Sequence, residues 1–480
     1  MPYIAKLEKA GIPTVVVDFE DQDRMIEETS LASGVPKIRY THTSRIVHPQ
    51  ENAAALKKPV IEELTRSLTQ EETESGRWEP PEQPRILFKG TLDEAQTFYQ
   101  QTEWVPSPLN APVAKYTDGY PVIVPTEEKV REMLKGTSHK PDEQIILQSD
   151  RKGMAGLKKK GEVVEFQPMN WTATVEKVAT IAVMAGCKPE DLPVVLAIAE
   201  SGCGTGTTVF WGQWACVSGP IVKEIGMNSG TSMLDPGNPA NATIGRTYQL
   251  MARNLGGAKI GVNRMNSIGS PLNMGGTCFA ENADGLPPGW KGLNEEYGFK
   301  KDESVVMVIN SGGSILGAQH TPAGYRQLQK AGHGGIARKL GLEDIPGPHH
   351  WLEYVLPSLW GYREGSYTFV MVPEMAQHLY ELGFKSKDEV YQWMWEKSFE
   401  PVGDYKKRQP LDLMLAGWVG IEPTSGKPWG ELPDDYMVPV MGNDPADNCI
   451  IVGGGHEEVC EQLRGRRAGF STAYSIDAWR

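Results

Sequence analysis

Four stretches of the chain combine chemically able residues with the glycines that would expose them. The first, Glu200-Ser201-Gly202-Cys203-Gly204-Thr205-Gly206-Thr207-Thr208, sets one cysteine among glycines. Backbone N–H groups on such a turn can stabilise a thiolate and make Cys203 a nucleophile. Gly204 and Gly206 would let a substrate anion approach the backbone closely. No Gly-Lys-Ser/Thr closes the stretch and no strand precedes a G-x-G-x-x-G, so neither nucleotide fingerprint is present. In the second, Gly275-Gly276-Thr277-Cys278-Phe279-Ala280-Glu281-Asn282, Cys278 could be nucleophile or metal ligand. Glu281 would then act as general acid or base and Asn282 as hydrogen-bond donor. The third, Ile450-Ile451-Val452-Gly453-Gly454-Gly455-His456, opens a buried strand into an anion-binding turn at Gly454 and Gly455. His456 there supplies an imidazole, the side chain most often used to move protons. The fourth, Gly226 to Arg246, is too long for a tight connection and carries Asn241 and Arg246. Arg246 could hold a carboxylate with two parallel hydrogen bonds.

Each stretch also has a plainer structural reading. Cys203 could be an incidental thiol in a glycine-rich connection, and Cys278 a small core residue beside a capping pair. His456 could cap a turn, and Arg246 could be a solvated helix residue. His349-His350 are adjacent, so their side chains diverge, and helix-start histidines are the better reading than a metal pair. The tryptophans read mainly as packing residues.

The elements that must position these groups read as α/β. Thr14 to Phe19 and Lys37 to Tyr40 are strand-like, with a helix from Asp21 to Ala32 between them and another from Ala53 to Leu68. Glu71 to Pro84 is charged and proline-rich, a linker by composition. Strands are expected near Ile86–Phe88 and Pro121–Val124, and helices over Leu92–Gln101 and Glu127–Leu134. Further on come helices over Thr174–Ala185, Asp191–Ala199 and Asn241–Leu255, and strands over Thr208–Val217, Val305–Ile309, Tyr367–Val372 and Ile450–Val452. Cys460 falls in a stretch read as helical. Repeated strand–turn–helix units predict a multi-lobed α/β fold of mostly parallel sheets covered by helices, with Gly-rich strand-to-helix turns. The expected division is a small lobe over 1–70, a linker and middle segment over 71–161, and a large lobe over 162–480 carrying the site.

The totals narrow the function classes. A chain of 480 residues is long for one core. With 40% hydrophobic and 23% charged residues its balance is that of a globular protein. A net charge of −13 disfavours nucleic acid and anionic lipid as general partners. Lys158-Lys159-Lys160 is a local run. No apolar stretch is long enough to span a bilayer, and the N-terminus is too polar for a secretory signal. A cytoplasmic setting follows as the expectation, with the six cysteines reduced and no C-x-x-C pair among them.

Several stretches look familiar together. Gly219-Pro220-Ile221-Val222-Lys223-Glu224-Ile225-Gly226, Asn241-Ala242-Thr243-Ile244-Gly245-Arg246, Cys278 to Asn282 and the closing Gly-Gly-Gly-His resemble bacterial proteins associated with the UGSC family of selenoproteins and cysteine homologues. Gly11-Ile12-Pro13-Thr14-Val15-Val16-Val17 is similar to the part of the small UGSC domain that follows its active-site motif. Gln70 to Gln167 is unmatched. The motif itself, selenocysteine or cysteine followed by Gly-Ser-Cys, does not precede Gly11 in this sequence. The resemblance then implies one of two things: chemistry moved to Cys203, Cys278, Glu281 and His456, or a partner chain that supplies the thiol.

The leading expectation is an enzyme acting on a small polar or anionic molecule by cysteine-dependent chemistry at a carbon–heteroatom bond, of lyase, hydrolase or reductase type. Gly204, Gly206, Asn241, Arg246, Asn282, Gly454 and Gly455 would hold the substrate. Alternatives are a metal-dependent hydratase or lyase with Cys, His and carboxylate ligands, and a non-catalytic subunit of a larger complex. The protein would be a homo-oligomer, or a hetero-oligomer with a small subunit. NAD is disfavoured, because no acidic ribose partner follows the best Gly-rich turn at the usual spacing.

Overall fold

The computed structural model describes residues 2–19, 22–43, 49–78, 84–106, 109–153, 156–204, 212–264, 268–320, 367–408, 421–422, 424–439, 441–442, 444–456, 459–464 and 471–480. Its centre is a seven-stranded sheet built from β1 (Gly212–Ser218), β2 (Cys278–Ala280), β3 (Val305–His320), β4 (Tyr367–Met371), β5 (Cys449–Val452), β6 (Val459–Arg464) and β7 (Ser471–Ser475). The order is β5-β4-β6-β3-β1-β2, with β7 also paired to β3. β3 is long enough to hold β7 along Val305–Ile309 and β6 along Ser314–His320.

The mostly parallel sheet expected from the sequence is not what forms. Only β1/β2 and β4/β5 run parallel, whereas β4/β6, β6/β3, β7/β3 and β1/β3 are antiparallel. The physical reason lies in burial. All seven positions of β1 are buried, so its apolar run is the same whichever way its neighbours point. The stretch holding Cys460 is strand β6 rather than helix, because six residues are too few for either period to be decisive and pairing decides.

Alternation along the strands separates two faces. Trp214, Cys216, Phe279, Met307, Ile309, Val370, Cys449, Ile451 and Leu463, drawn from six strands, meet in one interior cluster. The sheet is therefore curled, and its edge strands β2 and β5 touch just past their ends, where the Asn282 N–H donates to the Val452 carbonyl at 2.8 Å. The alternate residues Ala215, Val217, Cys278, Ala280, Val306 and Val308 face outward onto the helices α1 (Val175–Ala185), α2 (Leu192–Ala199) and α3 (Pro239–Asn254). Tyr367, Phe369, Met371, Ile450 and Val452 face the helices α4 (Pro373–Glu381) and α5 (Lys387–Lys397) in a third cluster.

The segment before α1 shares this scaffold: Val122, Val130, Met133, Ile145 and Leu147 are buried in the α1–α3 core. Neither Ile86–Phe88 nor Pro121–Val124 forms a strand. Ile123 instead donates its N–H to the Met184 carbonyl at the end of α1. The start of the expected linker is a helix, Gln70–Ser75, because Thr69 and Glu72 close a reciprocal capping box. At the N-terminus, strands Val16–Asp18 and Tyr40–His42 pair in parallel over a small core of Ala5, Ile26, Val35 and Ile38. No described helix is long and apolar enough to cross a membrane.

Candidate active site

Three of the four stretches singled out above meet at one rim of the curled sheet, at the carboxyl ends of β4 and β5. Asn282 is held there by its bond to Val452. The Gly453 N–H donates to the Met371 carbonyl at 2.9 Å, and the Gly454 N–H donates to the Ser229 carbonyl at 2.9 Å. The turn therefore locks the two strand ends to the Gly226–Arg246 loop. Gly454 has φ +93°, a conformation side chains avoid, and a side chain on Gly455 would run into Thr231. His456 follows directly and is exposed, and α4 begins at the same rim, with Pro373 against Gly285.

Asn282 and Asn241 play different parts. The Asn282 Oδ1 accepts from the Gly285 N–H at 3.2 Å, while its Nδ2 makes no hydrogen bond among the described residues. Asn241 is buried, and its amide is spent inside the loop. Its Oδ1 accepts from the Asn228 N–H at 3.0 Å, and its Nδ2 donates to the Asn228 and Met233 carbonyls at 2.8 and 3.2 Å. Asn241 thus shapes the loop that meets Gly454. Arg246 is spent too: its guanidinium grips Asp118 through two 2.9 Å bonds and also caps the Pro121 carbonyl at 2.8 Å. In this structure it braces the middle segment against α3.

Beneath Asn282 lies a buried charge network. The Glu281 carboxylate accepts from Ser218 Oγ at 2.8 Å, from the Leu293 N–H at 2.6 Å and from Lys387 Nζ at 3.2 Å. Lys387 also reaches Glu296 at 3.1 Å, whose other oxygen accepts from the Tyr391 hydroxyl at 3.0 Å. Tyr391 in turn accepts from the Ile450 N–H of edge strand β5 at 2.8 Å. The Lys387, Glu281 and Glu296 side chains are 2%, 0% and 4% exposed. Burial alone would push the Lys387 ammonium toward neutrality, but Glu281, Glu296 and Cys449 more than reverse this and hold it charged. A locked ammonium is a fastener rather than a nucleophile, and here it ties α5 to the residue before Asn282. Sequence reasoning missed Lys387, Ser218, Glu296 and Tyr391. The available signal was Lys387 at the first position of α5, where the helix dipole disfavours a cation unless carboxylates face it.

The thiols are elsewhere. Cys203 lies in the α1–α3 core and is fully buried, with φ +47°, and the Gln213 amide donates to its carbonyl at 3.3 Å. Gly204 adjoins it, while Gly206, His349 and His350 lie outside the described residues. Cys278 is 5% exposed and faces that same core, on the side of β2 opposite Phe279. Burial pushes both thiols well above their ordinary pKa, with Cys187 and Asp191 adding to the shift at Cys278. Cys216 and Cys460 are raised in the same way, by burial first. Iodoacetamide at mildly alkaline pH is therefore expected to leave Cys203, Cys216, Cys278, Cys449 and Cys460 unmodified in the native protein. Unfolding should expose all six cysteines to it, and peptide mass spectrometry reads the difference.

Gly245 explains how the Asn241–Arg246 and Cys278–Asn282 stretches come together. A methyl group at Gly245 would stand 2.8 Å from the Cys278 backbone nitrogen, so α3 can lie this close to β2 only with glycine there. Gly245→Ala should cost about 1–3 kcal/mol, seen as a lowered denaturation midpoint.

No protein-family model, curated protein or solved structure gives a significant match to this chain. The functional reading therefore rests on the geometry of the chain's own residues.

Proposed function

We propose that this chain is an enzyme acting on a small polar or anionic molecule at a carbon–heteroatom bond, by proton transfer at the rim of the curled sheet. His456 carries the proton, the Asn282 amide donates to the polar group of the substrate, and the Gly454–Gly455 turn lets that group approach the backbone. The observation that carries this reading is the meeting of three loops through the Asn282–Val452 and Gly454–Ser229 hydrogen bonds, with the exposed His456 two residues after Gly454. Ligands of α/β folds bind at carboxyl strand ends of this kind, next to a helix N-terminus. The acid–base form is favoured over the thiolate form because burial raises both Cys203 and Cys278. The proposal includes a cytoplasmic setting, in keeping with six cysteines that form no disulfide, and a small-molecule partner rather than nucleic acid, in keeping with the net charge of −13.

The test is turnover of a mixture of small hydroxy, amino and keto acids, followed by mass spectrometry. A consumed compound should survive exposure to His456→Ala protein but be turned over by Cys203→Ser and Cys278→Ser protein. Loss of turnover in a folded Cys278→Ser variant, or its persistence in His456→Ala, overturns the reading.

A further inference from the structure

We propose that Asp18, Asp23 and His42 form a binding site for a first-row divalent cation of the Mn2+ or Zn2+ kind, in the N-terminal lobe and independent of the rim. Asp18 ends one strand and His42 ends its parallel neighbour, in register with each other, and Asp23 opens the helix Asp23–Ala32. One ligand atom from each residue can be chosen so that all three lie within 4.8 Å of one another. His42 Nδ1 is 3.1 Å from Asp18 Oδ1, and His42 Nε2 is 3.6 Å from Asp23 Oδ1. The first distance is a hydrogen bond. The second is too long for one; the two run to opposite nitrogens of the ring, and a single cation takes only one of them, replacing that contact while one atom of each carboxylate stays within the 4.8 Å cluster.

One further observation points to a cation. The Asp23 Oδ1 is shielded from solvent, yet makes no hydrogen bond among the described residues. A shielded carboxylate oxygen calls for a proton donor or a positive charge. Of the nearby arginines, Arg24 pairs its Nε with Glu28 while its Nη1 makes no hydrogen bond among the described residues, and Arg39 caps the Glu63 carbonyl at 2.9 Å.

The donor set selects the ion. Two carboxylates suit hard cations and an imidazole suits later ones, so Mn2+ and Zn2+ fit better than Mg2+ or Ca2+. Three protein ligands leave coordination positions open for water or an anionic group.

The experiment uses the full chain, stripped of metal with EDTA and dialysed. MnCl2 is titrated with electron paramagnetic resonance reporting free Mn2+, and ZnCl2 by calorimetry. The expected result is saturable uptake of one equivalent by the native chain. Asp23→Asn and His42→Ala should each weaken it by at least about tenfold, with circular dichroism unchanged. Glu27→Gln, on the same helix, should bind as the native chain does. If one variant fails to fold, the other carries the test. No uptake of either ion at millimolar concentration, or uptake that survives in the folded variants, overturns the proposal.

Discussion

Lys387→Met is expected to destabilise the protein by about 3–5 kcal/mol, measured as the shift in guanidinium unfolding free energy. Methionine fills nearly the same volume, so the loss is electrostatic rather than a cavity effect. Removing the ammonium leaves Glu281 and Glu296 facing each other in a site where both side chains are under 5% exposed. Ser218, Leu293 and Tyr391 still supply hydrogen bonds, but none of them supplies charge. Two buried carboxylates without a cation cost far more than the native triad stabilises, because desolvation is only offset while all three members are present. Combining Lys387→Met with Glu281→Gln and Glu296→Gln should therefore recover part of the loss. If Lys387→Met alone shifts stability by less than about 1 kcal/mol, the network is not the fastener described above.

The second large effect is at His456. Once a substrate is in hand, His456→Ala should lower turnover by about 10²–10⁴-fold, the usual contribution of a positioned general acid or base. Its stability should barely change, because His456 is exposed and leaves no buried partner behind. The measurement is kcat together with the unfolding midpoint, so that lost chemistry is separated from lost fold. Cys203→Ser and Cys278→Ser should show the opposite pattern. Each places a hydroxyl in an apolar core and lowers stability, while turnover per folded molecule stays within a few-fold. Asn282→Ala should fall between, since it removes both a donor at the rim and the cap on Gly285.

Much of the scaffold was legible in local sequence. The runs Gly212–Ser218, Tyr367–Met371 and Cys449–Val452 lie where apolar, strand-forming residues stand between turn-forming ones. Helices α1, α2 and α3 lie within two residues of their expected bounds at every end, because apolar faces and capping residues act locally. The glycines at 453–455 and 275–276 were legible as sharp, close-approach positions. Less legible was what each chemical residue does. Arg246 looks like a free clamp until Asp118, far along the chain, occupies it. Cys203 looks exposed among glycines, yet its turn folds into the α1–α3 core.

By itself, then, the sequence determined where the main core helices, several core strands and the glycine turns form, since these follow from periodicity, capping and backbone freedom within a few residues. Only the tertiary structure decided strand direction, the curl that brings Asn282 to Val452, the burial of the thiols and the pairing of Lys387 with Glu281 across 106 residues. Those outcomes depend on which buried surfaces and charges meet in space. Sequence spacing carries no record of that, because equally apolar strands pack in either direction and a buried charge shows its partner only once the chain has closed around it.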